Sequence, residues 1–184
     1  MLDPNFIFGR LGNRMFQGAY LYAQAKKGEI PDFFVQDPKY FEGCEEEIKK
    51  LYGDGIGYLP YVAIHLRRGD YVNNPFYVDL AKTGYYIDAT NEFPDRKFLV
   101  FSDDVEFAKT YFEGDKFAFD DSTDPVEALN KMASCDGIIT ANSSLSWWAA
   151  YLNPNTGLKI APTVDKWYSD GIERTTCPAD WIRK

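Results

Sequence analysis

From Tyr61 to Ala161 the chain alternates short apolar runs with amphipathic segments of helical length. Strand candidates are Tyr61–Leu66, Lys97–Phe101, Lys116–Phe119, Gly137–Ala141 and Leu158–Ala161. Helix candidates lie between them at Gly84–Phe93, Asp104–Phe112, Pro125–Ser134 and Ser144–Leu152. A helix between two strands returns the chain to the same end of the sheet, so the strands run parallel. The pattern predicts an α/β fold built on a Rossmann-like parallel sheet. With 184 residues the chain is long enough for one domain or two small lobes, and for burying about 70% of its unfolded surface.

The residues after each strand carry the functional signal. Arg67–Asp70 (R-R-G-D) follows the first, Ser102-Asp103-Asp104 the second, Asp120–Asp124 the third and Asn142-Ser143-Ser144 the fourth. A parallel sheet gathers these clusters at its carboxyl edge, where open α/β sheets bind ligands. Each cluster is also a helix N-cap by composition: Ser102, Asp124 and Ser143 all have capping side chains, and capping is the expected role of Ser102. Four such clusters on one edge, with an arginine pair and the chain's single histidine, favour a ligand site.

Within Tyr61–Tyr71 (Y-V-A-I-H-L-R-R-G-D-Y), period-2 alternation puts His65 and Arg67 on one face and Arg68 on the other. A guanidinium fork at the lip of a sheet suits a phosphate; a structural Arg–Asp network at the strand end is the equal alternative. Upstream, a short strand at Phe6–Phe8 leads into Gly9–Asn13 (G-R-L-G-N). A helix follows over Arg14–Lys27, with Met15, Ala19, Tyr22 and Ala23 on one face and Gly28 as its stop. Strand, glycine turn and helix N-terminus can present N–H groups to an anion, or can simply make a tight turn. One short strand is expected in Ile30–Phe41 and a brief helix at Glu45–Tyr52. The glycines at 53, 55 and 57 mark the best boundary, dividing a lobe of residues 1–57 from a domain of residues 58–184.

The formal net charge of -8 opposes binding to nucleic acid or anionic membranes. A phosphate site must therefore be locally basic, which again points to Arg67 and Arg68. Three widely spaced cysteines suit a reducing compartment better than a disulfide framework. With no signal peptide and no apolar run of membrane length, the expectation is a soluble, cytoplasmic protein. No G-x-x-x-x-G-K-[ST] and no G-x-S-x-G occur. The two arginines beside His65 also resist the imidazolium that a general base becomes. No Asp-x-Asp is present, and the adjacent pairs Asp103-Asp104 and Asp120-Asp121 diverge, so no metal is expected. Trp147 and Trp148, adjacent on a helix, cannot share a face; one of them is expected in the core.

Four stretches together resemble the α-1,2-fucosyltransferases of glycosyltransferase family 11. They are Gly9–Ala19 (G-R-L-G-N-R-M-F-Q-G-A), His65–Tyr71 (H-L-R-R-G-D-Y), Phe101–Asp104 (F-S-D-D) and Ala141–Asn153 (A-N-S-S-L-S-W-W-A-A-Y-L-N). The resemblance implies a GT-B-like fold, GDP-fucose as donor, no cofactor, and metal-independent, inverting transfer to a hydroxyl of a glycan acceptor. Position by position it implies that Arg67 binds the diphosphate, with Arg68 beside it, and that His65 meets the ribose or guanine. Asp124 would accept from guanine, and Asn142, Ser143 and Ser144 would hold phosphate at a helix N-terminus. Gly12 and Asn13 would close over the diphosphate or the sugar. Asp70 would act either as the base for the acceptor hydroxyl or as a group orienting the arginines. The chain departs from the family at Arg14, where Gln is usual, and at Gly18, where Tyr is usual. The segment before His65 is also short, which implies a reduced N-terminal lobe: either a minimal enzyme with an open acceptor cleft, or one that an oligomer or a partner would complete. The alternative class is a non-catalytic GDP-sugar or glycan-binding module.

Overall fold

The structure is a computed structural model and describes residues 9–27 and 36–184. The strand expected at Phe6–Phe8, the stop at Gly28 and residues 30–35 lie outside the described residues. Six parallel strands form one sheet in the order β3-β2-β1-β4-β5-β6. They are β1 (Leu59–Leu66), β2 (Phe98–Ser102), β3 (Phe117–Phe119), β4 (Cys135–Ile139), β5 (Lys159–Ala161) and β6 (Ile182–Arg183). The helices are α1 (Leu11–Lys27), α2 (Glu45–Tyr52), α3 (Tyr85–Thr90), α4 (Val105–Tyr111), α5 (Pro125–Ser134) and α6 (Ser144–Leu152). Pairing runs outward from β1 in both directions, to β2 on one side and β4 on the other. The order therefore reverses between β1 and β4, and a crevice opens beyond their carboxyl ends.

Strand β1 is central because its last five residues, Val62–Leu66, are buried, as a strand covered on both faces requires. Val62, Ile64 and Leu66 point into a core with Phe98, Val100, Tyr85, Tyr86 and Ala108. Ala63, on the opposite face, joins Phe101, Leu129, Ile138 and the tryptophans of α6. The same alternation carries past the strand and sends Arg67 and Arg68 to opposite sides of the sheet edge.

Several boundaries differ from the sequence reading. Strand β4 begins at Cys135, which is also the C-cap of α5, so the strand starts directly after the helix, and it ends at Ile139. Helix α3 stops at Thr90, where Asn91–Phe93 turn ahead of Pro94. Two-residue strand β6 is too short to leave a periodic signal. Of the segment expected to hold a strand, the described residues 36–41 make a parallel bridge, Gln36 to Thr175, and a 3-10 turn at Pro38–Phe41. Both Trp147 and Trp148 are fully buried. Helix α6 is enclosed on several sides: Trp147 stacks on Tyr151 and donates from Nε1 to the Thr176 carbonyl at 3.0 Å, while Trp148 stacks on Phe41. Phe16 of α1 touches both rings, at centroid distances of 4.5 and 4.9 Å. Helix α1 is thus packed directly onto α6, through a buried face of Met15, Phe16, Ala19, Tyr20 and Ala23. At Gly18 the hydroxyl of Tyr52 occupies the space a side chain would take. The three cysteines are buried and unpaired, and no helix among the described residues is long and apolar enough to cross a membrane.

Candidate active site

Arg67 is the hinge of the crevice. Its side chain is 11% exposed, bonded to Asp70 on one side and to Asp103 Oδ2 at 2.6 Å on the other, with the ring of Tyr71 beneath it. Asp103 also accepts from the Arg68 N–H at 2.8 Å, so a carboxylate at the end of β2 fixes both the backbone and the guanidinium at the end of β1. Its neighbour Asp104 turns away and caps α4 by accepting from Phe107 N at 3.2 Å. Ser102 donates to the Leu66 carbonyl at 2.8 Å and accepts from Asp104 N at 3.0 Å, which stitches β2 to β1.

Two cavities meet at Arg67. One, of about 610 Å³, is lined by Gly9–Arg14, Arg67, Asp70, Tyr71, Tyr77 and Ser143–Leu145. The other, of about 410 Å³, is lined by His65, Ser102, Asp103, Asp120–Asp124 and Met132. Arg67, Pro125 and Leu145 belong to both, so the two form one groove with ends of opposite character.

The basic end is built from two converging helix N-termini. At Gly12 in α1 a Cβ would stand 2.5 Å from Leu145 N and 2.6 Å from Ser144 Oγ, so only glycine lets α1 approach the start of α6 this closely. Asn13 is held there, its Oδ1 accepting from Ser144 Oγ at 2.7 Å and from Gln36 Nε2 at 3.2 Å. Ser143 is the N-cap residue of α6 but makes no side-chain capping bond. The positive ends of both helices, with Arg10, Arg14 and Arg67, concentrate positive charge at one spot of an acidic protein. Asp70 bridges the spot, bonded to Arg67 and 3.4 Å from Arg10.

The acidic end has a different division of labour. Asp120 is taken by Lys131 at 3.0 Å and by Ser122 N at 2.9 Å, and these bonds hold its carboxyl below the usual range against the opposing effect of burial. Asp124 caps α5 through Oδ1, at 3.1 Å from Val126 N, and remains exposed on the groove. His65 is 5% exposed, and its Nδ1 has no hydrogen-bond partner among the described residues. Burial pushes its pKa down to about 4, only partly opposed by Asp103, so the ring is neutral near neutrality.

Gly12, Asn13, His65, Arg67, Asp70, Asp124, Ser143 and Ser144 thus line one groove. Arg68 and Asn142 do not. Arg68 donates from Nη1 to both carboxylate oxygens of Asp79, at 3.1 and 3.0 Å, and its guanidinium lies 3.7 Å from the ring centre of Phe107. Asn142 is buried and donates to the carbonyls of Val78 and Trp167. Arg10, Asp103, Tyr71 and Gln36 were not singled out from the sequence. Arg10 and Asp103 sit inside motifs that could have yielded them, whereas Gln36 carries no such signal. Among the described residues no group of three or more His, Cys, Asp or Glu is placed to hold a metal ion.

Known proteins similar to this chain are named as glycosyltransferases. It is 32% identical to an alpha-1,2-colitosyltransferase of Escherichia coli over 82% of this chain and 60% of that protein. It is 30% identical to the O-antigen biosynthesis glycosyltransferase WbnK of Escherichia coli, over 65% of this chain and 43% of that protein. The chain therefore spans about 60% or less of the length of these relatives. No solved structure matches it. The pattern described as Glycosyl transferase family 11 runs from residue 20 to residue 183, through every strand of the sheet and the whole arginine-hinged edge, and the chain belongs to that family.

Proposed function

We propose that the chain is an inverting, metal-independent glycosyltransferase that moves fucose from GDP-fucose to a hydroxyl of a glycan acceptor, with an α-1,2 linkage. The observation that carries this reading is the groove's polarity: a basic end and an acidic end that meet at Arg67. A guanosine diphosphate is anionic at one end and carries N–H donors at the other, and it fits that polarity lengthwise. The diphosphate would lie on Arg67, Arg10 and the N-termini of α1 and α6, and guanine against Asp124 and His65. The G-R-L-G-N segment of a reduced N-terminal lobe (residues 1–57) closes on the donor domain (residues 58–184). As the sugar–phosphate bond breaks, charge builds on the departing diphosphate, and preorganised guanidinium and N–H donors stabilise it.

Colitosyl transfer by a relative makes the donor sugar the first point to test. Calorimetric titration of GDP and GDP-fucose into wild type and Arg67→Ala, followed by a donor-consumption assay with glycan acceptors, decides the reading. Binding that is lost in Arg67→Ala, followed by transfer, supports it; a wild type that binds neither nucleotide overturns it. One observation favours the non-catalytic alternative: Asp70, the carboxylate nearest the hinge, is already engaged by Arg67 and Arg10. Tight GDP binding with no turnover on any acceptor or on water would establish that alternative.

A further inference from the structure

A line of hydrogen bonds runs from the C-terminal segment to Asn13 at the basic end of the groove. Gln36 is held at its backbone, its carbonyl accepting from Thr176 N at 3.2 Å within the bridge to Thr175. Its side-chain Oε1 accepts from Thr175 Oγ1 at 2.7 Å. Thr175 is 2% exposed, and its hydroxyl also lies 3.3 Å from the buried Tyr168 hydroxyl. A threonine hydroxyl has one proton. Thr175 directs it to Gln36 Oε1, which leaves Thr175 only able to accept from the Tyr168 hydroxyl, and the line runs in one direction toward Asn13. Gln36 then has only its Nε2 protons to offer Asn13, at 3.2 Å. The second lone pair of Asn13 Oδ1 is filled by Ser144 Oγ at 2.7 Å. With its oxygen consumed twice, Asn13 turns Nδ2 toward Gly9, which lines the same cavity as Asn13.

We propose that Gln36 is a positioning residue that locks the Asn13 amide with its N–H donors toward the groove, where they meet an anionic oxygen of the bound diphosphate. This assignment rests on the donor-site reading above and deepens it. An unlocked amide could turn its carbonyl oxygen toward the anion, replacing attraction by repulsion. Gln36 touches no ligand itself; its effect passes through Asn13.

The test compares GDP affinity, by calorimetry, in wild type, Asn13→Ala, Gln36→Glu and the double variant. A carboxylate at position 36 still accepts from Thr175, but it can only accept from Asn13, which forces the amide to flip. Gln36→Glu is expected to weaken GDP binding at least about tenfold, the scale of a hydrogen bond to a charged group. In the Asn13→Ala background the same change is expected to cost no more than about threefold, the share due to the added charge alone. Equal losses in both backgrounds, or wild-type affinity in Gln36→Glu, would overturn the proposal. Gln36→Met, which removes the lock without adding charge, serves the same cycle if Gln36→Glu does not fold. A ligand-free readout separates this proposal from the donor reading. Side-chain amide hydrogen exchange by NMR should show the Gln36 amide protected and the Asn13 amide exchanging freely. A protected Asn13 amide with a free Gln36 amide overturns the proposal whether or not GDP binds.

Discussion

Gly69 lies so close to Asp103 that a side-chain carbon at residue 69 would overlap the Asp103 carboxylate, the group that holds Arg67. Its φ of 21° lies at the edge of the left-handed region as well. Gly69→Ala is therefore expected to displace Asp103, release Arg67 and weaken GDP binding at least about tenfold, as loss of a charged hydrogen-bonding partner does. It should also cost about 1–3 kcal/mol of stability through backbone strain. Calorimetry with GDP and urea unfolding check the two parts separately; an unaltered affinity would mean that Asp103 does not position Arg67.

The adjacent arginines should separate cleanly on mutation. Arg68 and Asp79 have side chains 11% and 17% exposed, so Arg68→Ala leaves a buried carboxylate short of its main partner. The expected cost is about 3 kcal/mol, the low end for a broken buried pair, because Lys82 stays 3.3 Å from Asp79. Arg67→Ala faces a more solvated pair of carboxylates and should destabilise by about 1 kcal/mol or less, while abolishing GDP binding. Unfolding midpoints set beside GDP titrations of both variants test this, and the reverse pattern would exchange the roles assigned to the two residues.

The opposite facing of the two arginines was legible in the sequence because strand alternation is a local property, two residues apart meaning one face and one residue apart the other. That Arg68 leaves the donor groove for Asp79 was not, since both arginines were expected there. The capping clusters were legible for the same reason, and Asp124 and Ser143 stand at helix N-cap positions as expected. Ser102 does not, because Asp104 caps α4 while Ser102 is spent on the Leu66 carbonyl and Asp104 N. What alternation cannot carry is pairing order. Ser144 meets Asn13 across 131 residues, a contact that exists only because β4 pairs with β1 and α1 folds onto α6. Gln36 and Thr175 are likewise joined by tertiary folding alone. The burial of both tryptophans followed from how many elements cover α6, which the sequence of that helix does not record.

Asp70 holds a place that a phosphate could take, between Arg67 and Arg10. Its side chain is 52% exposed, so its competition with a ligand anion is partly screened. Asp70→Asn is expected to tighten inorganic pyrophosphate and GDP by up to about 1 kcal/mol, roughly fivefold. Calorimetry with both ligands tests this, and weaker binding in the variant would make Asp70 an orienting group for Arg67 instead. Turnover adds a second decision: tighter GDP with transfer abolished would identify Asp70 as the base, and tighter GDP with transfer intact would place the base elsewhere.

His65 makes stability depend on pH in a predictable direction. In the folded chain burial keeps its ring neutral until about pH 4, whereas in the unfolded chain it takes up a proton near 6.5. Below 6.5 the unfolded state therefore binds more protons than the native state, and stability must fall as pH falls. The contribution is complete above about 6.5 and declines through the window down to about 4, by about 1.4 kcal/mol per unit. With a single histidine in the chain, and carboxylates titrating mainly below 5, the slope between pH 6.5 and 5 belongs to His65. Urea unfolding at pH 7.5, 6 and 5 should show a loss of about 2 kcal/mol by pH 5. His65→Gln, which has nothing to titrate there, should remove that slope. A wild type whose stability is flat over this interval would mean that the ring is solvated and protonated in the folded chain, and that the neutral imidazole assigned to the acidic end of the groove is wrong.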